Sequence, residues 1–271
     1  MKQTIHYAFS PESYRQRATV FGMIALGVGM ACIFMGFDPT MLFTEFHYVI
    51  DLTKSMTPPN FPLLWRDSTI GVSLLETLSM GFLGTVFGGG LAIALAFMAA
   101  ENTNPLRWVR GFVKLILSVQ RVIPSLFIIL IVIAAVGLGP FAGMLTLVFS
   151  TIGTFGQLFT DIIENTESAP ADAIYAAGAN RWQVIRFVIL PQTLPSFTAN
   201  LFYAYDINIR TAIGLGIFGG GGVGFQLFQA MRLLHYRDAL ALICLTMGLI
   251  ILTEKMSDAL RARLLGRGAL K

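Results

Sequence analysis

Asp206 and Arg210 stand one helical turn apart in YAYDINIRTAIGLGIFGGGGVGFQL, residues 203–227, a stretch with no other charge. An acid four residues before a base can pair with it on a helix. Ionisable groups in apolar helices are costly and usually face a bundle interior or a water-filled path. An arginine also offers a planar, permanently charged fork suited to an oxyanion. Two readings stay open: a structural ion pair that fixes helix packing, or a polar lining for a small anion. Gly219, Gly220, Gly221, Gly222 and Gly224 then predict a flexible, unwound exit from this segment. Gly214, Gly216 and Gly219 satisfy G-x-G-x-x-G, but no strand precedes them, which argues against a dinucleotide turn. No P-loop occurs. His6, His47 and His235 are scattered, and no metal set or nucleophile–base set is visible. Neither a catalytic residue nor a cofactor is expected.

A second constellation is DAIYAAGANRWQVIRFVILP, residues 172–191, a polar loop between two long apolar segments. Ala173, Ile174, Ala176 and Ala177 are small or apolar, and Asp172 favours a helix N-terminus. Gly178 permits a tight turn or a close approach that a Cβ would block. Asn180 and Arg181 begin a second helix. Leu190-Pro191 ends it, since proline stops the regular hydrogen bonding. The product is a helix-turn-helix knob able to fit a groove on a partner; the alternative is an ordinary amphipathic loop.

These residues must be positioned by membrane helices. The chain has 271 residues, 55% hydrophobic and 13% charged, about half the charge of a soluble domain. A crossing needs about 20 mostly apolar residues. Residues 18–37 carry no charge, nor do those between Glu76 and Glu101 or between Arg121 and Asp161. The last run is long enough for two crossings, with Gly137-Leu138-Gly139-Pro140 as the turn. Stretches near 193–219 and 238–256 complete six spans. The organisation expected is a tail over 1–17, a membrane domain over 18–256 with the polar loop at about 164–192, and a basic tail over 257–271. The net charge of +4 does not indicate nucleic acid. With the amino terminus inside, the outer segments keep only Lys54, Arg66, Arg232 and Arg237. Apart from Arg210 inside a span, the cytoplasmic side holds the rest, from Lys2, Arg15 and Arg17 through Arg181 and Arg186 to Arg267 and Lys271. The positive-inside rule then places both termini and the 164–192 loop in the cytoplasm.

Smaller features follow. FTEFHYVIDL, in the outer segment 38–70, reads as a short amphipathic helix. Arg107, Arg110, Lys114 and Arg121 share one face of an interfacial helix, predicted to point at lipid headgroups or cytosol. Gly81, Gly84 and Gly88 predict close helix packing. Cys32 and Cys244 read as small core residues. Gly29-Met30-Ala31-Cys32 loosely resembles a lipoprotein cleavage site, but the first span reads better as an uncleaved anchor.

The 172–191 loop resembles the "EAA" loop of permease subunits in ATP-binding-cassette importers: Glu-Ala-Ala, three residues, Gly, nine residues, Ile, one residue, Leu-Pro. Asp172, Ala173 and Ile174 stand for the first three positions, Val188 replaces the Ile, and Gly178 and Leu190-Pro191 keep their spacing. NIRTAIGLGIFGGGGVGFQL, SMTPPNFPLL, LETLSMGFLGT and RVIPSLFIILIVIAAVGLGPFAGML are similar to phosphonate-type importer permeases, over about residues 55–230. Departures are Asp172 and Asp206, where Glu is usual, and Gly220, where Ala is usual. The resemblance implies an all-α, six-span permease of the methionine-importer-like type in a bacterial inner membrane. It also implies a homodimer, two cytoplasmic ATPase subunits and an extracytoplasmic binding protein. The cargo would be a small phosphorus oxyanion: an organophosphonate, or phosphite or hypophosphite. Methionine or phosphate is the alternative cargo. Asp172, Ala173, Gly178, Asn180, Arg181, Leu190 and Pro191 would couple to the ATPase, and Asp206, Asn208 and Arg210 would line the path. Two other classes stay in view: a proton-driven transporter with Asp206 as its titrating group, and a membrane scaffold.

Overall fold

The computed structural model describes residues 11–38, 40 and 44–265, and helices are the only regular secondary structure among them. Lys2, His6, Arg267 and Lys271 lie outside the described residues. The chain divides into two compact units, 1–55 and 56–271. In the first, α1 (Pro11–Phe34) is long and apolar enough over Arg17–Phe34 to cross a bilayer. Helix α2 (Phe46–Met56) is the expected amphipathic helix. Phe46, Val49 and Ile50 recur at helical spacing, while Asp51 and Lys54 pair at 3.5 Å on another face.

The second unit contains α3 (Leu63–Arg66), α4 (Ser68–Ala99), α5 (Arg107–Val122), α6 (Ser125–Val136) and α7 (Pro140–Glu164). It continues with α8 (Ser168–Ala176), α9 (Arg181–Val184), α10 (Leu190–Leu215), α11 (Gly222–Arg232) and α12 (Tyr236–Leu265). Asp67 starts α4: the Thr69 hydroxyl, and then its amide at 2.9 Å, donate to the Asp67 carboxylate. These bonds hold its carboxyl below the usual range.

Helix α4 lies at the centre, packed on α7 and α10. Its glycines make that approach possible. A methyl at Gly81 would meet Ile209 Cγ1 at 2.7 Å, one at Gly84 would meet Leu147 Cβ at 2.6 Å, and one at Gly88 would meet Thr151 Cβ at 2.7 Å. Buried hydroxyls in this core return to their own helices. Thr85 donates to Gly81 O, Thr146 to Ala142 O and Thr160 to Gly156 O, each at 2.8 Å. Gly84→Val should therefore force α4 from α7 and lower thermal stability of the purified protein by about 1–3 kcal/mol or more. Gly71→Val, on the same helix with nothing within 4 Å of an added Cβ, should leave it nearly unchanged. Equal melting of both variants would refute the close-packing explanation.

The expected pattern of crossings is modified. Among the described residues four helices can cross a bilayer on their own, and two bent pairs raise the number to six. Helix α6 has 12 residues, about 18 Å at 1.5 Å per residue, short of a full crossing. It meets α5 at 95°. The basic stripe on α5 also differs from expectation. Rather than pointing outward, three of its four cations turn to protein partners. Arg110 approaches Glu101 at 3.7 Å, Lys114 meets Glu164 at 3.0 Å, and Arg121 donates to Gln157 at 3.0 Å. The carboxylates at the ends of α4 and α7 account for the first two of these, and an amide oxygen for the third. The apolar side, Trp108, Phe112, Leu115 and Val119, is the exposed one. The cysteines differ as well: Cys244 is exposed and Cys32 half-buried.

Candidate functional site

The turn between α8 and α9 is built by local hydrogen bonds. Ala179 N donates to Ile174 O at 3.2 Å and Gly178 N to Tyr175 O at 2.9 Å, with Gly178 at φ +88°. This is a Schellman ending, in which a left-handed glycine closes the helix. Asn180 then opens the next helix with a reciprocal cap. Its Oδ1 accepts from Gln183 N at 3.0 Å, and its own amide donates to Gln183 Oε1 at 2.8 Å. Nothing among the described residues lies within 4 Å of a Cβ on Gly178. Backbone conformation alone therefore explains a glycine here, whatever packs outside. Asp172, Ala173, Ala176, Ala177, Asn180 and Arg181 are exposed, and Trp182 is 78% exposed. The underside is anchored: Ile174, Ala179 and Ile185 pack on a core containing Phe155, Phe159, Ile163, Val184, Val188 and Phe197.

Two expectations for this loop are corrected. Asp172 sits in the middle of α8, which begins at Ser168, so it does not act at a helix N-terminus. Leu190-Pro191 does not end a helix. Helix α9 passes through a π-helical turn, Ile185–Ile189, directly into α10. Leu190 N donates to Ile185 O, one residue beyond the α-helical pattern. The widened turn shifts the ladder just before Pro191, whose ring could not take the regular bond.

On α10 the ion pair exists and is larger than expected. Arg210 Nη2 lies 2.9 Å from Asp206 Oδ2 as an ion pair and donates a hydrogen bond to Glu254 Oε2 of α12 at 3.1 Å. The Asp206 side chain is 11% exposed, and its Oδ1 is buried without a partner among the described residues. Asn208 is not part of this group. Its Nδ2 donates to Thr85 Oγ1 and Thr151 Oγ1, both at 2.9 Å, which ties α10 to α4 and α7. A residue two positions from each ion is some 200° round the helix, so Asn208 faces the core. A cavity of about 450 Å³ between α4, α10 and α12 is mostly apolar, lined by Phe82, Val86, Phe202, Tyr205, Met256 and Leu260.

The glycine segment breaks the helix, as expected, but it is packed rather than loose. Gly219, Gly221 and Gly222 have positive φ, and α11 leaves at 55° to the preceding helix. A Cβ on Gly224 would run into the Ile213 carbonyl, and one on Gly220 would lie 2.9 Å from Leu215 O. The start of α11 is held by α4: Gly222 N donates to Glu76 Oε2 and Val223 N to Thr77 Oγ1, both at 3.0 Å. A carboxylate there complements the helix dipole.

Residues 92–266, more than half of the chain, match the family of binding-protein-dependent transport system inner membrane components. The chain belongs to that family. The match includes the Gly178 turn, the Arg210 cluster and α12. Among relatives of this transport-component family, the phosphite transport system permease protein PtxC of Stutzerimonas stutzeri is 32% identical over 249 residues. That alignment covers 91% of this chain and 87% of the relative. The phosphate-import permease protein PhnE of Mycolicibacterium smegmatis is 31% identical over 253 residues, 92% of this chain and 47% of its own length. This chain thus spans about half of that relative. The inward-facing MetNI methionine ABC transporter superposes with a TM-score of 0.64 over 75% of this chain and 98% of the matched chain, at 18% identity. At that identity the likeness shows the fold, the all-α methionine-importer-like permease fold.

Sequence reasoning missed Glu254, Glu76 and Thr77. Glu254 stands 44 residues from Arg210, so no local spacing links them; its one signal is that it closes the uncharged run 239–253. Glu76 served only to mark the edge of an apolar run. Gln183 was legible, because Asn at the cap with Gln three residues later is a capping-box pattern.

Proposed function

We propose that this chain is the membrane-spanning permease subunit of an ATP-driven importer for a small phosphorus oxyanion, phosphite or a phosphonate. The similarity to a phosphite transport permease across nine-tenths of the chain carries this reading. In it, two copies form the pore, two ATPase subunits engage the α8–α9 turns, and an extracytoplasmic binding protein delivers the cargo. Both termini lie in the cytoplasm, and the rest of the surface meets lipid. Asp172, Ala173, Gly178, Asn180 and Arg181 form the exposed coupling surface. Leu190 and Pro191 join it to α10, and Asp206 and Arg210 lie along the path. Asn208 holds the three central helices together.

Cells that depend on this importer should lose growth on phosphite or methylphosphonate when its gene is deleted, and keep growth on phosphate taken up by other routes. Restoring the gene should restore uptake of the labelled oxyanion. Unchanged growth on every phosphorus source, with a defect in methionine uptake instead, would move the cargo to an amino acid.

A further inference from the structure

The two acids around Arg210 are unequal. Asp206 shares its helix with the arginine and is nearly buried. Glu254 comes from α12, and its side chain is 52% exposed. Both lie against the same nitrogen, Nη2: Glu254 Oε2 accepts its hydrogen bond and Asp206 Oδ2 is an ion-pair contact. Nη1 and Nε have no partner among the described residues, and the Arg210 side chain is 46% exposed. The guanidinium thus keeps unused donors beside the more exposed of its two acids. Two carboxylates against one guanidinium leave this trio one negative charge in excess. A further anion could not join without doubling that excess, yet it could replace one acid at no change in charge. The buried Asp206 cannot leave, because its own helix holds it; the exposed Glu254 can.

We propose that Glu254 is the resting occupant of an anion site on Arg210, and that a phosphite- or phosphonate-type oxyanion takes its place during transport. Resting on the oxyanion-permease reading, this assigns the site its ligand class and its built-in competitor. Tetrahedral oxyanions suit the arginine fork, which can donate two parallel bonds from Nη2 and a neighbouring nitrogen. Asp258 and Arg261, one and two turns further along α12, approach each other at 3.8 Å and neutralise one another. Glu254–Arg210 is an ionic contact between α10 and α12. Its exchange therefore does two things together: it seats the anion and breaks the ionic contact between α12 and α10, leaving the bond from the Ser257 hydroxyl to Phe202 O at 3.1 Å. Arrival of cargo is registered as the loss of a helix–helix contact.

The test uses the assembled importer in lipid nanodiscs without its binding protein, titrated with inorganic phosphite. Glu254→Gln removes the competitor and keeps the shape, so phosphite should bind at least about tenfold more tightly than to wild type. Glu254→Asp keeps the charge but withdraws it by one methylene, and should fall between the two; it decides the matter if the glutamine variant fails to assemble. Arg210→Gln should abolish binding in either background. Equal phosphite affinity for all three residues at 254 overturns the exchange. Wild-type uptake of phosphite in proteoliposomes separates the two failures. Uptake present with no gain from Glu254→Gln removes only the exchange; uptake absent for phosphite and methylphosphonate alike removes the cargo reading and the exchange with it.

Discussion

Gly178→Asn is expected to leave the protein folded and inserted while lowering transport at least about tenfold, equivalent to about 1.4 kcal/mol of lost coupling. Gly178 closes α8 in a left-handed conformation. Asparagine tolerates that conformation better than other side chains, so the Schellman turn should survive. The added side chain points into space that the described residues leave empty. If an ATPase subunit packs against the turn, that space is where its surface lies. Gly178→Val tests something else. A β-branched residue at positive φ costs roughly 1–2 kcal/mol or more in the turn itself, so its failure would not reveal a partner. The informative comparison is uptake and ATPase co-purification for the two variants at matched expression. Normal uptake by Gly178→Asn would remove the close-docking explanation for the turn.

The second large effect concerns Arg210. Because it answers two acids, its loss should do far more damage than the loss of either one. Arg210→Gln leaves Asp206 nearly buried without a counter-charge, a situation that costs about 3–5 kcal/mol in a fully buried setting. With Arg210 and Glu254 half exposed, the lower end is expected here. Asp206→Asn should be milder, since Glu254 still holds the arginine. The double variant Asp206→Asn with Arg210→Gln should recover folding and ATPase assembly, measured by thermal unfolding in detergent and by co-purification. Its transport should stay low if the anion meets the guanidinium. Arg210→Lys keeps the charge without the fork and should transport partially at best. Full transport by the assembled double variant would leave Arg210 a packing residue only.

Several of these features were legible in the chain, for identifiable reasons. The i, i+4 spacing of Asp206 and Arg210 is local, and so is their ion pair. The Gly178 turn was readable because glycine at a helix end has few alternatives. Uncharged runs marked the helices, since a lipid-facing or core helix tolerates few ions. What escaped depends on distance along the chain. Glu254 reaches Arg210 only because α12 folds back on α10. Arg110 and Lys114 of α5 find partners only because Glu101 and Glu164 lie at the ends of two other helices beside them. Asn208 was placed with its neighbours in sequence, but helical rotation sets it on another face, where two threonine hydroxyls hold it. Pro191 misled because an isolated proline suggests a stop, whereas a π-helical turn ahead of it lets the helix continue.

That unbroken course from Arg181 to the glycine kink has a mechanical meaning. About 29 residues separate Arg181 from Arg210, roughly 40 Å of helix. A member of that length behaves as a lever when its far end is clamped. Glu76 and Thr77 clamp the segment just beyond the kink. A swing of about 10° about that clamp, roughly 60 Å of helix from Arg181, would carry the turn by about 10 Å, while Arg210, roughly 18 Å from the clamp, moves about 3 Å. Large strokes at the α8–α9 turn would thereby be geared down to ångström-scale shifts beside Glu254. Shifts of that size are enough to make or break a 3.1 Å contact.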